Sequence, residues 1–388
     1  MSDFAERYAR VGSTLLSCLL AGVLLNTLCF ALNLGLDAWQ ARKNPVSAKY
    51  GTDLRAYYPG MSAAEIDEML RVTWSLPALY APFTGRRLGA VQSRFVNVTA
   101  EGIRRGRVEQ PWPPDRSRSF VVFVLGGSTA FGFGVRDSET IPAQLESILA
   151  ERGGSRPPTV YNLGVPSFTS AQERIRLQEL LAAGLVPDVV VFLDGYNERV
   201  LSDAPLGTSE VEAVLNTGAY QRPSSLLLRL ALKMPLSRTL SRLLHAVGLR
   251  SSVTPDNTPD PQPLGLSEEA FSERVIRRWL ANQEISEAVA RHFGVVPVFA
   301  WQPVPDYGYD PALFAFDDLT KPEYQPRRRV YQEMARLRES RRLPPSVVWC
   351  ADLTRGATQP LFVDVAHYTA GMSRQVAECI AAGLTAAS

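Results

Sequence analysis

Phe120-Val121-Val122-Phe123-Val124-Leu125 runs directly into Gly126-Gly127-Ser128-Thr129-Ala130-Phe131-Gly132-Phe133-Gly134. The first half is an unbroken β-branched and aromatic run. It is too short for an ordinary helix and too apolar for a strand with one wet face. It reads as a strand, residues 119–125, buried on both sides of a sheet. The glycines that follow let the chain turn sharply and leave the Ser128 hydroxyl and nearby N–H groups open.

The same grammar recurs downstream. Apolar β-branched runs at 158–163, 188–193, 295–300 and 346–350 alternate with helical patterns at 139–151, 170–184 and 267–292, and a last helix covers 370–384. Strands alternating with crossover helices predict a parallel sheet. The expected fold class is α/β: a three-layer α/β/α sandwich around a five-stranded parallel sheet, flavodoxin-like in outline. Ser170-Ala171-Gln172-Glu173 reads as a capping box opening the second helix.

Upstream, the 26 residues between Arg10 and Asp37 carry no charge. That is long enough to cross a bilayer as one tilted helix, and no small-x-small cleavage site follows it. One N-terminal transmembrane helix is therefore expected to precede the sandwich. Arg7 and Arg10 on one side balance Arg42, Lys43 and Lys49 on the other, so charge does not fix orientation. The chain divides into an anchor at 1–36, a connecting region at 37–117 and an α/β domain at 118–388. In the connecting region, Ser62-Ala63-Ala64-Glu65 caps a helix through Val72. Pro111-Trp112-Pro113-Pro114 marks its end.

Residues 200–265 interrupt the alternation as an insertion. Within it, 226–247 reads as two short helices split by Pro235. Arg229/Lys233 and Arg238/Arg242 stand opposite a leucine face, which suits packing on the domain or lying on a membrane. Residues 254–263 read as a proline-rich linker.

Composition removes several classes of function. Net charge is +2 over 388 residues, which does not suggest nucleic-acid binding. The runs Arg327-Arg328-Arg329 and Arg341-Arg342 read as a solvated helix face. Three histidines and four cysteines without metal spacing predict no metal site and no cofactor. Cys18 and Cys29 read as small buried apolar residues, while Cys350 and Cys379 are candidates to pair in an oxidising compartment.

Ligands of a doubly wound sheet bind at the carboxyl ends of its strands. At the first such end, Ser128 lacks the Gly-Lys-Ser/Thr of a phosphate loop. Ala130 breaks the G-x-S-x-G elbow of an α/β-hydrolase. The second end carries Asn162-Leu163-Gly164, the third Gly195-Tyr196-Asn197, whose amide is suited to an oxyanion. Each alone is an ordinary turn. Near the C-terminus, Asp364-Val365-Ala366-His367 offers a carboxylate that can bond one ring nitrogen and leave the other outward. Neither His245 nor His292 has an acidic partner at such a spacing.

Taken in order, Gly126-Gly127-Ser128, Asn162-Leu163-Gly164, Gly195-Tyr196-Asn197 and Asp364-x-x-His367 resemble the four blocks of the SGNH (GDSL-like) hydrolase superfamily, over about residues 118–385. Gly127 stands where that family often has Asp, and Glu198 where Asp commonly follows the Asn. The insertion at 200–265 has no counterpart. The resemblance implies an SGNH fold and a serine esterase. Ser128 would be the nucleophile, His367 its base and Asp364 the group orienting the base. The N–H groups of Ser128 and Gly164 and the Asn197 amide would form the oxyanion hole. Trp301 and Gln302 are expected either to line the acyl or leaving-group pocket or, for Trp301, to fill the core.

The implied substrate is a small acyl ester, such as acetyl, on a carbohydrate or lipid. An O-acetyltransferase acting on an exopolysaccharide or envelope glycan is the alternative, and a non-catalytic membrane-tethered scaffold the third reading. Tethered relatives face the periplasm or exterior, with envelope or polysaccharide-assembly partners. The anchor itself, residues 11–36, would meet the membrane.

Overall fold

Odd and even residues of the first long strand face opposite cores. Val121, Phe123 and Leu125 belong to one buried cluster, Val122 and Val124 to the other. A strand apolar on both sides must lie inside a sheet covered on both faces. In this computed structural model it does. The structure describes residues 2–40, 44–107, 110–199, 234–246 and 266–387.

In chain order the elements are α1 (Ser2–Gln40), α2 (Pro45–Tyr50), α3 (Ala63–Trp74), β1 (Ala78–Leu79), β2 (Arg87–Leu88), β3 (Phe120–Gly126), α4 (Ser128–Phe131), α5 (Ile141–Arg152), β4 (Pro158–Asn162), α6 (Ser170–Ala182), β5 (Val189–Asp194), α7 (Pro235–Ala246), α8 (Glu268–His292), β6 (Val296–Trp301), α9 (Gln325–Glu339), β7 (Val347–Trp349) and α10 (Ala370–Ala387). Two units result. One comprises residues 1–43 and 208–258, the other 44–207 and 259–388.

The larger unit holds a five-stranded sheet in the order β4-β3-β5-β6-β7, every neighbouring pair parallel. The order reverses at β3, so the crevice between the carboxyl ends of β3 and β5 is the natural ligand position. In that register Gly126 pairs with Leu193. Residues of α5 and α10 (Leu145, Ile148, Val376, Ile380) pack on one face. Those of α6, α8 and α9 (Leu177, Leu180, Val275, Trp279, Val330, Met334) pack on the other. This is the α/β/α sandwich expected from the sequence.

The connecting region packs into the core. Val46, Leu54, Ile66, Met69, Leu70, Val96 and Val98 join the same cluster as Val122 and Val124. The Arg104 N–H bonds the Asn162 carbonyl at 3.1 Å, so this segment also covers the outer edge of β4. The capping box at Ser62 and Glu65 forms as read. At α6 the box is displaced by one: Thr169 is the cap and pairs with Gln172, because its backbone is the extended residue before the helix.

Cys350 and Cys379 form a disulfide with their Cα atoms 6.0 Å apart, joining the end of β7 to α10. Cys29 is buried, whereas Cys18 is exposed on α1. Arg327 departs from the solvated-face reading. It is 2% exposed and its guanidinium contacts Asp306 at 2.6 Å. The helix is real, but its first turn faces the interior, where a buried carboxylate needs a counter-charge.

In the smaller unit, Glu6–Ala38 of α1 is long and apolar enough to cross a membrane. The α7 helix begins at Pro235, where a missing N–H costs nothing at a first-turn position. Arg229, Lys233 and the 254–263 linker lie outside the described residues.

Candidate active site

Beyond β3 the chain makes one short helix, α4, with Ser128 as its first residue and Gly132, at φ 89°, closing it. A first-turn N–H has no intrahelical acceptor, so that of Ser128 is free of the helix's own ladder. A side chain at Gly127 would place its Cβ 2.3 Å from the Asn197 amide nitrogen. Only glycine lets that amide lie against the backbone beside the serine.

The Asp364–His367 loop is closed on itself. Val363 N–H bonds the His367 carbonyl at 2.8 Å, and Phe362 bridges Tyr368. Asp364 Oδ1 accepts the N–H groups of Ala366 and His367, both at 2.8 Å. Its Oδ2 lies 2.6 Å from His367 Nδ1, and His367 Nε2 lies 2.8 Å from Ser128 Oγ. An ionised carboxylate only accepts, so Nδ1 carries the proton and Nε2 is left to accept the serine hydroxyl. Burial pushes the Asp364 carboxyl up, but the facing imidazole and the backbone donors outweigh it and hold its pKa below the usual aspartate value. Asp364 thus remains ionised beside the ring.

Two aromatic rings hold the imidazole. Phe133 stacks on it at 4.9 Å, and Trp74, at the end of α3, meets it edge-on at 5.7 Å. Trp74 comes from the connecting region. The capping box announces its helix, but nothing local in the sequence says which neighbour the helix end will meet. Arg104, from the same region, is fully buried. It donates to the carbonyls of Phe131, Gly132 and Val135 and to Asp137, fixing the loop that follows α4.

The expected oxyanion donors lie around Ser128 in different states. The Asn197 amide gives one hydrogen to the Phe168 carbonyl at 2.8 Å and keeps a second. Gly164 packs so tightly on α4 that a Cβ would lie 2.4 Å from Phe131 N. Its own N–H donates to Asn162 Oδ1 at 3.1 Å, so binding an oxyanion there means sharing that bond.

Trp301 and Gln302 do not line an open pocket. Trp301 is 0% exposed, packed between Trp279 and Tyr331. Its place at the end of β6 aims it into the core rather than at the crevice. Gln302, 2% exposed, has a different role. Its Oε1 accepts from Thr129 Oγ1 at 2.6 Å and faces the Tyr368 hydroxyl at 3.1 Å, while its carbonyl accepts from Tyr331 at 2.8 Å. One buried amide therefore ties the residue after the serine to the residue after the histidine.

Behind the Asn197 loop lie three buried carboxylates that the sequence did not announce. Glu198 accepts the N–H and hydroxyl of Ser170, and Asp194 accepts Trp279 Nε1 at 2.9 Å. Glu173 on α6 faces them and shares a side-chain hydrogen bond with Asp194. Burial, then the neighbouring negative charges, push Glu173 and Asp194 well above the ordinary carboxylate range. Burial raises Glu198 as well. Glu198 thus moors the Asn197 loop to the start of α6.

No family model matches the chain, and no curated protein matches it. Solved structures do. One is a lipase from a goat rumen metagenome, at 9% identity over 68% of this chain and 97% of that one, with a TM-score of 0.40. Another is a member of the lipolytic protein G-D-S-L family from Veillonella parvula, at 8% identity over 67% and 94%, with a TM-score of 0.33. A third is the lipase/acylhydrolase from Enterococcus faecalis, at 15% identity over 68% and 93%, with a TM-score of 0.34.

A carboxyl whose folded pKa is raised stays protonated while the unfolded chain ionises above about pH 4. The unfolded state then binds fewer protons, so stability falls as pH rises. Glu173→Gln should remove part of that slope. Urea midpoints of the full-length protein in detergent should decline less between pH 5 and pH 8 than in the wild type. An unchanged slope would mean that Glu173 does not hold a proton. In block order and in the strand ends that carry the blocks, the chain resembles the SGNH (GDSL-like) hydrolases.

Proposed function

We propose that this protein is an SGNH-type serine esterase that removes a small acyl group, such as acetyl, from a carbohydrate or lipid. The observation that carries the reading is the unbroken run Ser128 Oγ–His367 Nε2–His367 Nδ1–Asp364 Oδ2, with contacts of 2.8 and 2.6 Å, at the carboxyl edge of a parallel sheet.

Ser128 Oγ attacks the ester carbonyl as its proton passes to His367 Nε2, and Asp364 stabilises the resulting imidazolium. The negative charge on the former carbonyl oxygen is met by the Ser128 N–H, the Asn197 amide and a shared Gly164 N–H. The alcohol leaves with the proton from His367, giving acyl-Ser128. Water then attacks that carbonyl, passes a proton to His367, and the carboxylic acid departs as Ser128 takes the proton back. No step needs a metal or a redox group.

Full-length protein in detergent should hydrolyse p-nitrophenyl acetate. Ser128→Ala should abolish turnover, and Asn197→Ala should lower kcat about 10²–10³-fold. Turnover undiminished in Ser128→Ala would overturn the reading. Supplying an oligosaccharide acceptor separates the alternative: acetyl transfer to the sugar, in place of acetate release, identifies an O-acetyltransferase.

The catalytic unit is placed by the same proposal in the periplasm or outside the cell. The Cys350–Cys379 disulfide supports this, since such bonds persist in oxidising compartments. A C-terminal reporter active only in the cytoplasm would contradict it.

A further inference from the structure

The smaller unit is built inside out. Along α1 the polar side chains Asn26, Asn33 and Asp37 are spaced seven and four residues apart, which places them on one helix face. All three are engaged by α7. Asn26 Oδ1 accepts the Leu236 N–H at 3.3 Å, and the Asn33 amide donates to Thr239 Oγ1 at 2.9 Å. Arg242 reaches both Asn33 Oδ1, at 2.7 Å, and Asp37. Arg238 pairs with Asp37 at 2.9 Å.

The outer side of α7 is the reverse. Leu236, Leu240 and Leu243, at helical spacing, are 38%, 54% and 58% exposed. On α1, Leu24 and Leu28, on the face turned away from the Asn26–Asn33–Asp37 stripe, are likewise 70% and 69% exposed. An amphipathic helix in water buries its leucines and shows its arginines. Here Thr239 and the largely covered Arg242 lie in the seam, Arg238 pairs with Asp37 at its exposed rim, and the leucines face out, the arrangement a hydrocarbon surrounding selects.

We propose that α7 is a second membrane-embedded element, docked on the polar stripe of α1 with its leucine face in lipid acyl chains. It rests on α1 spanning a membrane. The stripe from Asn26 to Asp37 covers about 17 Å at ~1.5 Å per residue, roughly half of a ~30 Å hydrocarbon core. Twelve residues cannot cross it, so α7 enters one leaflet only, the one at the C-terminal end of α1. There Arg238 and Arg242 can reach the headgroup level while bonded to Asp37. α7 is in this way a lipid-held element.

The test uses full-length protein in liposomes, with Cys18 and Cys29 replaced by Ser and one environment-sensitive fluorophore at Leu240→Cys. Leu24→Cys serves as the bilayer reference and the exposed Ser340→Cys as the solvent reference. With doxyl-labelled lipids, Leu240→Cys should lose fluorescence as Leu24→Cys does, and it should resist a membrane-impermeant maleimide that labels Ser340→Cys. Rapid maleimide labelling would overturn the proposal by placing the face in water. Protection without quenching would overturn it too, by placing the face against protein. Leu243→Cys repeats the measurement on the same stripe should Leu240→Cys perturb assembly, with esterase turnover reporting that the catalytic unit is intact.

Discussion

A neutral imidazole can take a proton from a serine hydroxyl only if its other nitrogen already holds one and the ring cannot turn away. Asp364 supplies both conditions. One carboxylate oxygen faces His367 Nδ1, and the other is pinned by the two backbone N–H groups of its own loop. The carboxylate cannot rotate without breaking three contacts, and the ring cannot rotate without leaving it. Ser128 then meets a nitrogen of fixed identity and direction. Much of the surrounding structure keeps this geometry. Phe133 and Trp74 hold the ring from two sides, and Gln302 ties Thr129 to Tyr368, the residues next to the serine and the histidine.

These two loops lie more than two hundred residues apart in sequence, and the parallel sheet brings them together. Its order reverses at β3, which opens a crevice where the ends of β3 and β5 diverge, and the Ser128 and Asn197 turns emerge at that point. Close backbone approach does the rest. Gly127 makes room for an amide, and Gly164 lets a second turn sit on α4. Buried charges brace the periphery: Arg104 under the α4 loop, Glu198 at the start of α6 and Arg327 against Asp306.

What was legible in the sequence and what was not divides along physical lines. Periodicity and turn chemistry are local, so all five strands of the main sheet and the long helices flanking them could be read. So could the strand ends that carry Ser128, Gly164, Asn197 and the Asp364–His367 loop. Long-range contacts leave no local mark. Nothing in Trp74 says it will meet a histidine, and nothing in Arg104 says it will be buried. A strand end normally faces the crevice, so Gln302 reads as lining a pocket, yet its side chain turns inward to join two loops. Arg327 sits in a run of charges that looks solvated, and only the tertiary fold places a carboxylate behind it. At α6 the competition between two adjacent hydroxyl residues was decided by backbone conformation, which sequence does not carry.

The smaller unit also pairs its polar groups with one another. Polar groups that would be unremarkable on a water-facing helix are here gathered into a seam between α1 and α7. In the larger unit the corresponding contact joins Ser128, His367 and Asp364, and the reactivity proposed for it can be read directly. Intact-protein mass spectrometry after brief exposure to an activated acyl ester should find one acyl adduct, on Ser128, formed far more slowly when His367 is replaced by Ala. An adduct on another residue, or acylation of Ser128 at an undiminished rate without the imidazole, would contradict the hydrogen-bonded relay as the source of reactivity.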